Sequence, residues 1–436
     1  MTVITRFAPS PTGHLHVGNV RTALHNWMWA RKNGGRFLLR IDDTDRERSK
    51  EDYVAGIRAD LAWLDLDIDG EERQSARFDL YEREFDRLKG AGRVYACYET
   101  PEELDIRRKV LLSRGLPPVY ERKPADAPVP EGVTPHWRFR LDHDAMIAWT
   151  DMVRGDQSFD PKSMSDPVVR RADGSWLYLL PSVIDDIAMG ISHVVRGEDH
   201  VSNTAAQIQM FAALGAAPPV FAHEALLVGT EGKLSKRLGS LGMDGLREQG
   251  IEPIALVALL ARLGTSDPVE PVTDAAPLVE TIDFAHFGRA PARFDEAELA
   301  LANQKIVHQL GHEAVADRLP AAIDAARWHA IRPNLMTVAE AADWVAVFDG
   351  PLAPASADDA DRAVLAAAAA AAPAIDWGAD PWHALTNAVK AATGAKGRAL
   401  FLPLRRALTG RDHGPDMGEL LPLIAKDQAI VRLSAA

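Results

Sequence analysis

Residues 5–19 read Thr-Arg-Phe-Ala-Pro-Ser-Pro-Thr-Gly-His-Leu-His-Val-Gly-Asn, and they leave the N-terminal segment little choice of fold. Residues 3–8 are a short, largely apolar strand pattern. Pro9, Pro11 and Gly13 then force a tight, irregular loop. From Val17 the pattern turns helical, with Val20, Ala23, Leu24, Trp27 and Met28 on one face. Gly34 and Gly35 end that helix, and Phe37-Leu-Leu-Arg-Ile41 predicts a second strand. Strand, turn, helix, strand is a βαβ unit, which crosses over with a right hand. Ligands bind such units at the carboxyl ends of the strands, beside the helix start. His14 and His16 fall there, and free N–H groups at the helix start favour an anion.

The rest of the chain has the means for several cores. At 436 residues it fits two to four domains, with roughly 150 residues to a domain. Hydrophobic residues make up 47% and charged residues 25%, ordinary values for a globular chain. No apolar run approaches the ~18–20 residues of a membrane helix. No basic leader with an apolar stretch follows Met1, so no signal peptide is expected and the chain reads as cytoplasmic. Cys97 is the single cysteine, which excludes an internal disulfide and a multi-cysteine zinc site. The net charge of −13 argues mildly against a nucleic-acid partner. Phosphate affinity depends on local lysine and arginine patches, so an acidic chain can still bind RNA on one face.

Further along, Tyr53, Ile57, Leu61 and Leu64 mark an amphipathic helix, with Ser49 as its expected cap. A helix around 81–88 precedes a strand at 93–98, and Thr100-Pro-Glu-Glu103 opens a charged helix ending near Gly115. Residues 116–135 read as loop. Strands are expected at 136–141 and 149–153 around a turn, then a hairpin near 166–174. Ser192-His-Val-Val-Arg-Gly-Glu-Asp199 predicts a buried strand with charges at its carboxyl end, a helix follows at about 203–214, and 221–228 predicts one more strand. From about 306 the pattern is helical, and the alanine run 366–372 suits a helix.

Four stretches carry a family resemblance. His16-Val-Gly-Asn19 resembles the His-Ile-Gly-His motif of class I aminoacyl-tRNA synthetases. Arg6-Phe-Ala-Pro-Ser-Pro-Thr-Gly13 and Arg40-Ile-Asp-Asp-Thr-Asp45 resemble glutamyl-tRNA synthetases in particular. Lys233-Leu-Ser-Lys-Arg237 resembles the second class I motif, Lys-Met-Ser-Lys-Ser. The resemblance implies an α/β fold. A Rossmann-like catalytic domain with a parallel sheet (1–75 and 178–229) is split by an α/β insertion that binds the acceptor end (76–177). A helical stem-contact domain (230–305) and a helical anticodon-binding domain (306–436) follow.

The implied reaction is activation of glutamate by ATP, with magnesium, and transfer of the glutamyl group to the terminal ribose of tRNA. An in-line attack of carboxylate on the α-phosphate needs no enzyme nucleophile. It needs positioning, and positive charge where pyrophosphate leaves. The resemblance casts His16, Lys233, Lys236 and Arg237 as catalytic. His14, His16, Gly18, Asn19 and Lys236 contact ATP, Gly18 leaving room for adenine. Arg6, Ala8, Ser10, Asp42, Tyr178, Ser182 and Arg196 hold glutamate, Arg6 gripping the side-chain carboxylate. Asp42 stands where the family has glutamate, and Ser182 where many relatives have asparagine. Asp42, Asp43 and Asp45 on their own residues read as a metal cluster or a helix-capping turn. Asp199 approaches the ribose or the terminal adenosine. Some relatives begin a zinc knuckle where Cys97 stands; with one cysteine, no zinc is expected.

Arg332-Pro333-Asn334 matches an Arg-Pro-Arg run in which the second arginine reads the third anticodon base. Asparagine there implies a relaxed choice of tRNA, glutamine tRNA included, which in turn requires an amidotransferase downstream. The chain is expected to be a monomer. The rival reading is a non-catalytic tRNA-binding paralogue, a class that usually loses the motif histidine or lysine; both are present here.

Overall fold

The computed structural model describes residues 2–124, 128–229, 242–353 and 358–435. The chain divides into two compact units, Met1–Leu246 with Val257–Glu270 and Asp274–Asp295, and Arg247–Leu256 with Pro271–Thr273 and Glu296–Ala436.

The first unit opens with β1 (Ile4–Phe7), α1 (Val17–Lys32) and β2 (Arg36–Ile41). The apolar face read from the sequence is the buried face of α1. Gly34 follows the helix with φ +59°, a left-handed conformation that glycine adopts without strain. β1 and β2 are parallel, with Arg6 opposite Leu38. Next come α2 (Glu51–Trp63), β3 (Glu71–Arg73), α3 (Phe78–Gly90), β4 (Val94–Cys97) and α4 (Pro101–Ser113). β3 extends the parallel sheet beyond β2. Ser49 does not cap α2. Lys50 occupies the cap position without a side-chain bond, and Ser49 Oγ is buried with no partner among the described residues. Thr100 does cap α4, in a reciprocal capping box with Glu103.

β5 (His136–Phe139), β6 (Ile147–Asp151), β7 (Gly155–Phe159) and β8 (Val168–Arg170) follow. β4, β5 and β8 form an antiparallel sheet. The strands expected around one turn, β5 and β6, lie in different sheets. β6 pairs antiparallel with β7 and parallel with β10 (Val220–Glu224), on the far side of α5 (Leu179–Ala188), β9 (His193–Gly197) and α6 (Val201–Ala213) in sequence. A four- or five-residue strand joins whichever edge long-range packing offers it, and nothing local to it records that choice. The sheet order is β7-β6-β10-β9. Its β9 edge meets β1, where Ser192 N donates to the Ile4 carbonyl at 2.9 Å. β1, β2, β9 and β10 therefore present their carboxyl ends on one side. The strand expected at 221–228 breaks after Glu224, and β11 (Leu227–Gly229) pairs instead with β12 (Ala292–Phe294). Helices α7 (Met243–Glu248), α8 (Pro253–Arg262) and α9 (Ala276–Thr281) lie between them in sequence.

The second unit is helical, as its pattern predicts. It holds α10 (Glu296–Val307), α11 (Ala325–Ile331), α12 (Val345–Asp349), α13 (Asp359–Ala371), α14 (Pro381–Thr393), α15 (Arg398–Thr409), α16 (Met417–Leu420) and α17 (Lys426–Ser434). The alanine run closes α13, its last residue Ala372 being the C-cap; the helix is capped by Asp358 and buried along Val364, Leu365 and Ala368. Arg432 is buried in α17, and its guanidinium donates to the carbonyls of Ala346, Val347, Gly350 and Leu408. These carbonyls lie in the last turns of α12 and α15 and just after α12, where a helix leaves acceptor capacity over, which is why a buried cation is tolerated there.

Candidate active site

A cavity of about 1010 Å³ lies at the carboxyl ends of β1, β2, β9 and β10, beside the start of α1. His16 is the N-cap of α1. Its Nδ1 accepts from Gly18 N at 3.1 Å and Asn19 N at 3.4 Å, while Asn19 Oδ1 accepts from His16 N. Two N–H groups expected to face an anion are therefore taken by the histidine itself. An Nδ1 that accepts leaves its proton on Nε2, and burial lowers the pKa of the ring, so His16 is a neutral Nε2–H donor on the cavity wall. A Cβ on residue 18 would come 2.9 Å from His16 Cε1, so Gly18 makes room first of all for this ring.

Deeper in, two arginines share a carboxylate. Asp186 Oδ1 accepts from Arg6 Nε at 3.2 Å and from Arg40 Nη1 at 2.8 Å. Arg40, fully buried, also makes a forked contact to Asp42 at 2.6 and 3.0 Å and donates to Ser182 Oγ. Burial pushes the Asp42 carboxyl up, and Arg40, divided among Asp42, Asp185 and Asp186, only partly offsets it; the result is about 6. Arg6 and Asp42 line the cavity, whereas Ser182 is fully buried beneath it, holding Arg40. Asp185, also buried, accepts from Gln74, Arg77 and Tyr81.

From β9, Arg196 reaches the opposite wall. It donates to Tyr178 Oη, Thr204 Oγ1, Gln207 Oε1 and His223 Nε2, at 2.6–3.2 Å. All of these partners are neutral. A buried guanidinium with neutral partners and a cavity in front of it is arranged to take an anion from that cavity. Burial, then the nearby Arg196, pushes the His200 pKa down to about 4.

Ala8, Ser10, His14, Asn19, Tyr178 and Asp199 also line the cavity. Lys233, Lys236 and Arg237 lie outside the described residues. Arg332 and Asn334 belong to the second unit; Arg332 Nη1 donates to the Leu310 carbonyl at 2.6 Å, and Asn334 is exposed. Of the two readings of the acidic run, the capping turn fits Asp45, whose Oδ1 accepts from Arg48 N at 3.2 Å, while Asp43 accepts from Ser75 N and Ser75 Oγ, 32 positions on.

Sequence reading missed three ionisable lining residues, Arg21, His200 and Glu224. Burial pushes the Glu224 carboxyl up, but His25 at 2.7 Å and Arg21 hold it below its usual range. The signal for Glu224 was a charged residue within the largely apolar strand pattern at 221–228. Counting cysteines also missed that Cys97, Glu99 and His136 bring their ligand atoms within 4.8 Å of one another.

Residues 2–300 match the family described as tRNA synthetases class I (E and Q), catalytic domain, and residues 312–436 match an anticodon binding domain. The chain is 85% identical to glutamate–tRNA ligase 2 of Sphingopyxis alaskensis, covering 100% of this chain and 99% of that one. It is 66% identical to glutamate–tRNA ligase 1 of Novosphingobium aromaticivorans, over the whole of both chains. It is similar in structure to a glutamate tRNA ligase from Elizabethkingia meningosepticum, crystallised in complex with its amino acid, with a TM-score of 0.85, 27% identity and coverage of 100% and 99%. The chain belongs to the class I tRNA synthetases, and within them to the glutamate–tRNA ligases.

Proposed function

We propose that this chain activates glutamate with ATP and passes the glutamyl group to the 2′-hydroxyl of the terminal ribose of tRNA. The observation that carries the reading is the pair of buried arginines, Arg6 and Arg196, facing one cavity with the neutral His16 donor at its mouth. Glutamate brings two carboxylates, and its ammonium meets Asp42. The α-carboxylate oxygen attacks the α-phosphorus in line, the bond to the bridging oxygen breaks, and pyrophosphate leaves. The ribose hydroxyl then attacks the acyl carbon and AMP departs. His16 Nε2–H donates to a phosphate oxygen. Lys233, Lys236 and Arg237 supply positive charge to the leaving group. These contacts act mostly in the transition state, where the phosphate charge shifts. Magnesium enters on the ATP phosphates, as part of that substrate.

Zinc has no part in this reading. Tyr120 Oη already bridges two of the Cys97–Glu99–His136 group, Cys97 and Glu99, at 3.4 Å from Cys97 Sγ and 3.2 Å from Glu99 Oε1. Burial also raises the Cys97 thiol, against the thiolate that zinc requires. Residues 76–177 take the acceptor end, 230–305 the stem and 306–436 the anticodon. The enzyme acts as a cytoplasmic monomer.

The finer reading concerns which tRNA is charged. Arg332 is turned to the Leu310 carbonyl and the exposed polar side chain in this turn is Asn334. Asparagine cannot make an arginine's forked contact to a base, so glutamine tRNA is accepted as well. An amidotransferase must then correct the product. The test is pyrophosphate release with ATP, glutamate and purified glutamate or glutamine tRNA, side by side. A burst of pyrophosphate is expected with both. Silence with every tRNA would restore the non-catalytic reading, and charging of glutamate tRNA alone would remove the relaxed one.

A further inference from the structure

We propose that His223, locked by Asp151 into the tautomer protonated on Nδ1, is a positioning residue that aims Arg196 at the substrate carboxylate. The inference rests on the reading of Arg196 as a grip on glutamate.

The geometry allows one assignment of protons. Arg196 Nε–H can only donate, and it points at His223 Nε2 from 3.2 Å. Nε2 is therefore an acceptor, and the Thr204 hydroxyl stands 2.8 Å from the same nitrogen. The ring proton must sit on Nδ1, which lies 2.5 Å from Asp151 Oδ2. Asp151 is itself held. Its Oδ1 accepts from the backbone N–H of Val153, Arg154 and His223, at 3.0, 3.0 and 3.1 Å. Both side chains of the pair are wholly buried. The other Arg196 contacts, to Tyr178, Thr204 and Gln207, go to side chains whose hydroxyl or amide can turn. The imidazole is the contact whose polarity is set from behind.

The arrangement also explains why β6 belongs to the catalytic sheet. Asp151 is its last residue, aligned with Phe221 of β10, and that register delivers the carboxylate beneath His223. The pair lines no part of the cavity, so it acts on substrate only through Arg196. A protonated Nε2 would turn its N–H against the Arg196 N–H and swing the guanidinium aside.

Asp151→Asn is the test, because it keeps the shape and inverts one polarity. In that variant the amide oxygen still accepts the three backbone N–H groups, so the amide N–H faces His223 Nδ1 and drives the ring proton to Nε2. The glutamate KM is expected to rise about ten- to a hundred-fold, the range for losing one charge-assisted contact, while the ATP KM holds. Side-chain 15N spectra, with His223 assigned by its loss in His223→Phe, should read Nδ1–H in the wild type and Nε2–H in the variant. An Nε2–H or doubly protonated His223 in the wild type would overturn the proposal, even if Asp151→Asn does not fold. A switched tautomer with an unchanged glutamate KM would overturn it too. Arg196→Gln separates the two readings: if it leaves the glutamate KM alone, the grip itself is misassigned.

Discussion

Arg6 Nε donates to Asp186 Oδ1 at 3.2 Å, joining the first strand to a helix 180 positions later, and the two side chains are only 4% and 5% exposed. Because the same oxygen also receives Arg40, the carboxylate cannot turn to follow Arg6. Arg6 is thus held by one edge while it lines the cavity. Arg6→Gln should abolish useful selection of glutamate over glutamine. A charge-assisted bond to a desolvated carboxylate contributes roughly 1.5–3 kcal/mol net. Charging competition between the two amino acids measures it, and a variant that keeps its preference assigns selection elsewhere.

Gly18→Ala should separate activity from stability. The new Cβ forces the His16 ring to swing away, because a side chain yields more cheaply than the helix backbone. Losing the cap costs about 1 kcal/mol, and replacing glycine by alanine in a helix regains up to about 1 kcal/mol. The melting temperature should barely move while kcat/KM for ATP falls at least ten-fold. Retained activity would mean that the ring's place is immaterial.

Asp42 should put an acid limb on glutamate use. Its carboxyl, pushed up to about 6, must be ionised to meet an ammonium group. Below that pH the proton stays on, and kcat/KM for glutamate should fall about ten-fold per pH unit; Asp42→Asn should be slow and lack this limb. The sign for stability is opposite. Between roughly pH 4 and 6 the unfolded chain gives up this proton and the folded chain keeps it, so this group's contribution declines as pH rises. A profile that stays flat to pH 5 would remove Asp42 from the glutamate site.

Asp185→Ala should destabilise the first unit by about 3–5 kcal/mol, as expected when a buried charge loses its partner. The substitution strands donors from Gln74, Arg77 and Tyr81 at once. Urea unfolding followed by near-ultraviolet circular dichroism checks this; a loss below about 1 kcal/mol would mean that water replaces the carboxylate without penalty.

Lys236→Ala should slow the chemical step by roughly a hundred- to a thousand-fold, about 3–4 kcal/mol, as for one lost transition-state donor. Single-turnover charging at saturating glutamate reads it. An unchanged rate with a raised glutamate requirement would move Lys236 to substrate binding.

The parts of this fold that local chemistry decides were legible. Pro9, Pro11 and Gly13 can hardly do other than break a strand before a helix, and Val20, Leu24 and Met28 can only face a core. The class of the second unit followed from its helical periodicity. What stayed hidden depends on partners far along the chain. Nothing around Ile147 tells that β6 joins β10 rather than β5. Asp151 looks like any turn aspartate until His223, 72 positions on, is set above it. For Asp42 the residues suggest a metal cluster or a capping turn and the resemblance a contact with glutamate, and none of these foretells Arg40. Its forked contact with Arg40 depends on the buried acids of α5 fixing that guanidinium, and α5 lies far along the chain. Glu99 and His136 meet through the β4–β5 register, pairing Cys97 with His136, which cysteine arithmetic never consults.

His16 being its own helix cap has a consequence for how such a chain can drift. A descendant released from catalysis is not free to place any residue there, because the start of α1 still needs an acceptor for the N–H groups of Gly18 and Asn19. Aspartate, asparagine, serine and threonine meet that need and no others do it as well. Loss of the chemistry should therefore leave a signature in the replacement: a small polar capping residue marks a chain that kept the scaffold and found another use for it, whereas an aliphatic one marks a chain on its way to losing both.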